Sequence, residues 1–169
     1  PRIGAARSPR LRAGAPGEKL SLPIRGLKGD LPVRFAPNGG ALPGDRIVGI
    51  LTPGDGVTIY PIQSPELKAY DDEPDRWLDV HWDVDGAADE RFPAQITVEA
   101  INEPGSLAQI TAVIGEHEGN IDNIKMIRKG HDAHDMIIDL EVWDLKHLNR
   151  IISELRGLPN VSRVARTNG

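Results

Sequence analysis

"VEAINEPGSLAQI", residues 98–110, changes its hydrophobic period part-way along. Val98 to Ile101 read as a β-strand, and Leu107 and Ile110 as one face of an α-helix. Asn102-Glu103-Pro104-Gly105 between them belongs to neither. A strand that hands over to a helix in this way leaves backbone N–H groups at the helix start without intrahelical partners. What those groups serve is the central question the chain raises.

Outward from this turn the periods stay clear. In "AQITVEAI", Ile96, Val98 and Ala100 face one way and Gln95, Thr97 and Glu99 the other, the signature of a half-buried strand. The spacing predicts a helix over 104–116 that buries Leu107, Ile110, Val113 and Ile114, with Pro104 in its first turn and Gly119 as its stop. "NIDNIKMIR" (120–128) reads as a strand and "GHDAHD" as a hairpin loop. "MIIDLEVW" (136–143) is a strand with Met136, Ile138, Leu140 and Val142 inward. Asp144 then caps a helix carrying Leu145, Leu148, Ile151, Ile152 and Leu155, and "VSRVAR" (161–166) closes the pattern. The order β-α-β-β-α-β predicts a ferredoxin-like unit, an antiparallel sheet with both helices on one face. Its open face carries Gln95, Thr97, Glu99, Ile137, Asp139 and Glu141. With no aromatic residue for base stacking and with acids that repel phosphate, it is a poor surface for nucleic acid.

The fold class expected for the whole chain is α+β, a small β-rich domain followed by the βαββαβ unit. Residues 1–21 are rich in Pro, Gly, Ala and Arg and read as a basic flexible linker. Residues 22–84 alternate short apolar runs ("LPVRFA", "RIVGIL", "GVTIYPI", "WLDVHW") with turn signals ("NGG", "LPGD", "TPGDG"). Their expected core is Ile47, Val48, Ile50, Val57, Ile59, Leu78, Val80 and Trp82, and "SPELKAY" is expected to be one helical turn with Ser64 as N-cap. Residues 85–91 read as a linker, and 92–169 as the second domain. Charge is uneven: the first thirty residues hold seven Arg or Lys against two Asp or Glu, so the remainder carries −10 of the net −5. The absence of Cys excludes disulfides and thiolate chemistry and fits a reducing cytoplasm. No apolar run is long enough to span a bilayer, so no membrane partner is expected. Pro1 in place of an initiator Met suggests a piece of a longer protein.

No Ser/His/Asp set, phosphate-binding glycine loop or carboxylate pair stands in a supporting context, so no catalytic residue is expected. His131 and His134 have a spacing that could bind metal, but a solvated hairpin loop accounts for them, and His81 reads as a surface or edge residue. The turn offers more. The N–H groups of Gly105, Ser106 and Leu107 with the helix dipole suit a carboxylate. Asn102 and Asn120, read as leaving adjacent strand ends, could accept from an ammonium, and Leu107, Ile121 and Ile124 could form an apolar wall. A free α-amino acid needs those three features. The plainer reading, Asn102 as a helix cap and Pro-Gly as a turn, stays open on physics alone.

"INEPGSLAQITAVIGEHEGNIDNIKM" resembles the first half of an ACT domain, an amino-acid-sensing regulatory module, through Asn102, Pro104-Gly105, Leu107, Ile110 and Gly119-Asn120-Ile121. The resemblance implies a ligand at the interface of two such domains and implicates Asn102, Gly105, Ser106, Leu107, Asn120, Ile121 and Ile124. "VRFAPNGGALPGDRIVGILTPGDGVTIYPIQS" resembles the zinc-finger-like or intersubdomain unit that precedes the ACT domain in long RelA/SpoT homologs, enzymes that make and hydrolyse (p)ppGpp. That pairing implies the C-terminal regulatory region of a bifunctional synthetase/hydrolase. Such a region would bind Val, Ile or Leu in a homodimer and favour hydrolysis in the catalytic domains of the parent chain. The alternative is a scaffold that only dimerises or docks on ribosomal RNA, a role the basic segment 1–28 could serve if it is more than a linker. No cofactor is implied. Where relatives place zinc ligands, this chain has Asn38, Gly39, Tyr60 and Ser64, which form no usual zinc set. The purified chain should therefore hold no stoichiometric zinc by elemental analysis, and a chelator should leave its melting temperature unchanged.

Overall fold

The structure is a computed structural model and describes residues 11–13, 32–38, 40–82 and 91–167. The apolar runs of the first unit become β1 (Leu11–Ala13), β2 (Val33–Phe35), β3 (Ile47–Thr52), β4 (Gly56–Pro61) and β5 (Trp77–Trp82). They form one sheet in the order β1-β5-β3-β4-β2, with β2 parallel to β4 and the other pairs antiparallel. A turn through Gly54 joins β3 to β4, and Gly56 follows at φ +95, where a Cβ would clash with the Pro32 carbonyl oxygen. Both faces of this sheet are covered. Ile47, Val57, Ile59 and Val80 pack on one side with half-buried Leu78 and Trp82, and Val48, Ile50, Tyr60 and Leu67 on the other. Of the segment 1–21, Leu11–Ala13 pair antiparallel with β5 and supply backbone partners to its edge. The rest of that segment, and the 85–91 linker apart from Arg91, lie outside the described residues.

"SPELKAY" forms a 3-10 helix over Pro65–Tyr70, but Ser64 does not cap it with its side chain. Pro65 has no N–H to offer, and the Leu67 N–H is bonded to the Ser64 carbonyl at 3.3 Å. The Ser64 hydroxyl is left buried without a partner among the described residues.

The second unit runs β6 (Phe92–Ile101), α1 (Ser106–Glu116), β7 (Asn120–Lys129), β8 (Ala133–Val142), α2 (Leu145–Arg156) and β9 (Val161–Arg166). Its sheet is antiparallel throughout, in the order β7-β8-β6-β9. The period-2 alternation does the sorting: Ile96, Val98, Ala100, Met136, Ile138, Leu140 and Val142 are buried with Ile110 and Ile114 of α1 and Leu148, Ile151 and Leu155 of α2. Gln95, Thr97, Glu99, Ile137, Asp139 and Glu141 stay half-buried on the open face. Asp144 caps α2, its Oδ1 accepting the His147 N–H at 2.7 Å. The buried His147 ring ties that start to the end of α1: Nδ1 accepts the Trp143 N–H at 2.9 Å and Nε2 meets the His117 carbonyl oxygen at 2.5 Å.

The stop of α1 is not made by the expected glycine. Glu118 takes the left-handed conformation at φ 65, its N–H reaching the Gly115 carbonyl and the Gly119 N–H the Ile114 carbonyl, a Schellman end with the wrong residue for it. Gly119 is held by packing instead, since a Cβ there would stand 2.8 Å from Ile114 Cγ2 and 2.9 Å from Ile151 Cδ1. Two substitutions separate these roles. Glu118→Gly should stabilise the chain by about 0.5–1 kcal/mol, the left-handed penalty less the entropy of glycine. Gly119→Ala should destabilise it by about 1–3 kcal/mol through overpacking. Urea unfolding of the two variants checks the opposite signs.

Candidate functional site

The turn after β6 is built around one left-handed residue. Gly105 has φ +89 and serves as N-cap of α1, so the helix begins at Ser106 and Pro104 lies before it rather than in its first turn. The later start changes which side chains reach the core. Ser106 is buried, donating from Oγ to the Ile101 carbonyl at 2.8 Å, while Leu107, expected inside, is 40% exposed beside Ile101 at 44%. A Cβ on Gly105 would meet nothing within 4 Å, so the space before the helix is open. The helix receives no side-chain cap and has no acid in its first turn, which leaves the positive end of its dipole uncompensated. Of the three N–H groups expected to be free, that of Ser106 is taken by the Glu103 carbonyl at 3.2 Å.

Asn102 is not the helix cap. Its Nδ2 donates to the Gly130 and His131 carbonyls at 3.0 and 3.2 Å, and its N–H to the Asp132 carbonyl at 2.9 Å. The side chain therefore fastens the β7–β8 hairpin to the turn and keeps Oδ1 available as an acceptor. This use of the hairpin was invisible in the sequence because the acceptors are backbone carbonyls, which every residue has. His131 is exposed there, but His134 lies within β8 and is half-buried, with Nε2 unpartnered among the described residues. Among the described residues no group of three or more His, Asp or Glu side chains is arranged to hold an ion.

The expectation that Asn102 and Asn120 leave adjacent strand ends is wrong for a single chain. Strand β8 lies between β6 and β7, and both pair with it antiparallel. Ile101 stands opposite Ala133 at one end of the sheet, whereas Asn120 stands opposite Glu141, which faces Pro93, at the other. Eight residues of strand put the ends roughly 27 Å apart. Asn102, Gly105, Ser106 and Leu107 share one end, Asn120 and Ile121 the other, and Ile124 sits mid-strand opposite Ile138. Each end holds half of the proposed constellation. A cleft of about 510 Å³ on the open face, lined by Asn38, Glu66, Gln95, Lys125 and Asp139 among others, includes none of these residues.

Comparison with known proteins bears on this arrangement. Residues 22–83 match the RelA/SpoT RIS domain and residues 88–166 match the ACT domain. The chain belongs to the RelA/SpoT family, as its RIS-plus-ACT region. It is 62% identical over 151 residues to the GTP pyrophosphokinase rsh of Brucella ovis, across 89% of this chain and 20% of that protein. It is 33% identical over 145 residues to the bifunctional (p)ppGpp synthase/hydrolase SpoT of Escherichia coli, across 86% of this chain and 20% of that protein. The chain thus spans about a fifth of the length of these relatives. The crystallised ACT domain from a GTP pyrophosphokinase of Chlorobium tepidum is 25% identical over 46% of this chain and 99% of that one, with a TM-score of 0.41. RIS and ACT are regulatory rather than catalytic domains. Among the described residues no helix is long and apolar enough to cross a membrane.

The ACT sheet has one long open edge, β7, on which Met126 and Ile127 are 38% and 55% exposed. Near its start, partial desolvation and then the Glu141 and Asp139 carboxylates raise the Asp122 carboxyl above its ordinary value. A carboxylate raised on folding gives stability that is present below its unfolded pKa and is lost as pH rises through the raised value. Asp122→Asn should therefore raise the melting temperature at pH 7, with the gain vanishing as pH falls through the carboxylate range. Thermal scans of both proteins across pH 3–7 measure the crossover.

Proposed function

We propose that this region senses a small apolar amino acid at the interface between two ACT domains and passes that state to the catalytic domains of a (p)ppGpp synthetase/hydrolase in the cytoplasm, favouring hydrolysis when the amino acid is bound. The observation that carries the reading is the split site. One end of the sheet holds an uncapped helix start, the Oδ1 of Asn102 with no partner among the described residues and two exposed apolar side chains, and Asn120 lies at the far end. Antiparallel pairing of β7 with the β7 of a second copy brings the halves to the same end, because it sets one protomer's Asn120 beside the other's Lys129, where the Asn102 turn also lies. The strand is suited to this. Asp122 sits near its start and Lys125, Arg128 and Lys129 towards its end, so an antiparallel partner runs the acidic end of one strand alongside the basic end of the other. Pairing also covers an exposed edge that otherwise invites aggregation.

In the completed site, backbone N–H groups at the start of α1 bind the carboxylate, Asn102 Oδ1 accepts from the ammonium, and Leu107, Ile121 and Ile124 contact the side chain. With aliphatic walls, Val, Ile or Leu is preferred over Asp, Lys or Phe, and discrimination among the three is modest because a methylene is worth about 1–3 kcal/mol. The relatives named for (p)ppGpp synthesis and hydrolysis support the choice of parent activity, and ample amino acid is the condition under which hydrolysis is wanted.

Titration calorimetry with the twenty amino acids, with light scattering alongside, tests the reading. The chain should be a dimer at micromolar concentration and bind Val. Asn102→Ala should weaken binding tenfold to a hundredfold, the loss of a charge-assisted hydrogen bond of about 1.5–3 kcal/mol. It should cost roughly a further 1 kcal/mol of stability by freeing the hairpin. A variant that binds Val as tightly as the parent means the pocket is misplaced. A dimer that binds no amino acid at millimolar concentration is a dimerisation scaffold.

A further inference from the structure

The loop Leu42–Asp45, which reads in sequence as a turn of the RIS domain, is built into the ACT domain. Leu42 has no exposed surface and belongs to the ACT core, not to either cluster of the RIS sheet. The Pro43 carbonyl accepts the Leu145 N–H at 2.9 Å, so the loop satisfies the first donor of α2, one that a helix start leaves unpaired. Gly44 turns between them at φ +101, and a Cβ there would stand 3.3 Å from Leu145 Cβ. Asp45 is fully buried and receives Nη1 and Nη2 of Arg166, each at 2.7 Å, while Oδ2 also holds the Leu42 N–H of its own loop at 2.6 Å. Beside this, Phe35 and Trp82 stack at 5.8 Å with Phe92 of β6 edge-on to both.

Domains in one chain ordinarily move against each other unless their interface is large and apolar. Here several unlike contacts must break together. Undocking exposes Leu42, strips a helix N–H of its acceptor and separates a buried bidentate Arg166–Asp45 pair. We propose that the Leu42–Asp45 loop is a clasp that makes the RIS and ACT domains one cooperative body. The clasp also has a place in signalling, which rests on the amino-acid reading above. Strand β9 begins beside Asn160, whose carbonyl accepts the Ile101 N–H at the candidate site, and ends at Arg166 in the clasp. A change in the Asn102 turn therefore reaches the RIS domain through a single six-residue strand.

Amide hydrogen exchange on the whole chain tests the clasp. In the parent, the slowest amides of β3–β4 and of β6–β8 should share one opening reaction across a denaturant series. In Arg166→Met, which keeps the apolar stem and removes the charge, β3–β4 should open separately, with protection lowered about a hundredfold relative to β6–β8. Leu42→Ala should give the same split through the apolar contact, and it carries the test if Arg166→Met does not fold. Arg156→Ala, which loses a bond to the Val164 carbonyl within the ACT domain, should lower protection without splitting it. Separate opening in the parent, or one shared opening in both clasp variants, overturns the proposal. With Val added, protection should rise in both domains of the parent and only in the ACT domain of Arg166→Met. Absence of any Val effect in the parent counts against the amino-acid reading alone, because the clasp is judged on the ligand-free exchange.

Discussion

The position of β8 governs the rest of the molecule. It is the strand that pairs on both sides along its whole length, with β6 and with β7, and its inward residues Met136, Ile138, Leu140 and Val142 are fully buried or nearly so. Because it is interposed between β6 and β7, those two strands run parallel to each other, and the end of one cannot meet the start of the other. The chain that links them, α1, must travel the length of the sheet to return. A site made from the end of β6 and the start of β7 is thus divided by topology alone, and symmetry is the economical way to rejoin it.

Much of this architecture was legible in the sequence. The alternation in "AQITVEAI" and "MIIDLEVW" placed Ile96, Val98 and Ala100 of β6 and Met136, Ile138, Leu140 and Val142 of β8 on the right face, and the Asp144 cap and the Leu148, Ile151, Ile152 and Leu155 stripe of α2 are as the helical period implies. Periods report which face is buried. They do not report the order of strands, so the distance between Asn102 and Asn120 was misjudged. The same limit explains Leu107. Its spacing suits a buried position, but the φ +89 of Gly105 delays the helix by two residues and gives the inward place to Ser106. Asn102 also illustrates what composition conceals, since its amide is spent on carbonyls of a hairpin that the sequence presents as free.

The clasp was hidden for a related reason. "LPGD" contains every residue a tight turn asks for, and a turn does form, with the Asp45 N–H bonded to the Leu42 carbonyl at 2.9 Å. A turn needs no buried leucine, however, and no fully buried aspartate. Pro43 and Asp45 carry a second set of constraints that become visible only when their partners, Leu145 and Arg166, arrive more than a hundred residues later in the chain. A motif satisfied locally can conceal a distant obligation, and burial beyond what the local motif requires exposes it.

The two edges of the ACT sheet are treated differently, and the contrast bears on how a signal could leave the site. Strand β9 is short, and its last residue is committed to the RIS domain through Arg166. Strand β7 is ten residues long, largely exposed and charged oppositely at its two ends. One edge is thus tied inward and the other is open to a copy of itself. Ligand bound across a β7–β7 junction would contact the Asn102 turn of each protomer, and that turn is bonded through Ile101 and Asn160 to the start of β9. In the dimer proposed above, dimer formation and domain docking would use opposite edges of one sheet, with the candidate site touching both. A ligand that favours one arrangement can act on the rest of the parent chain only through its differential affinity for the two states. The committed edge supplies the rigidity that keeps such a preference from being lost in movement between the domains.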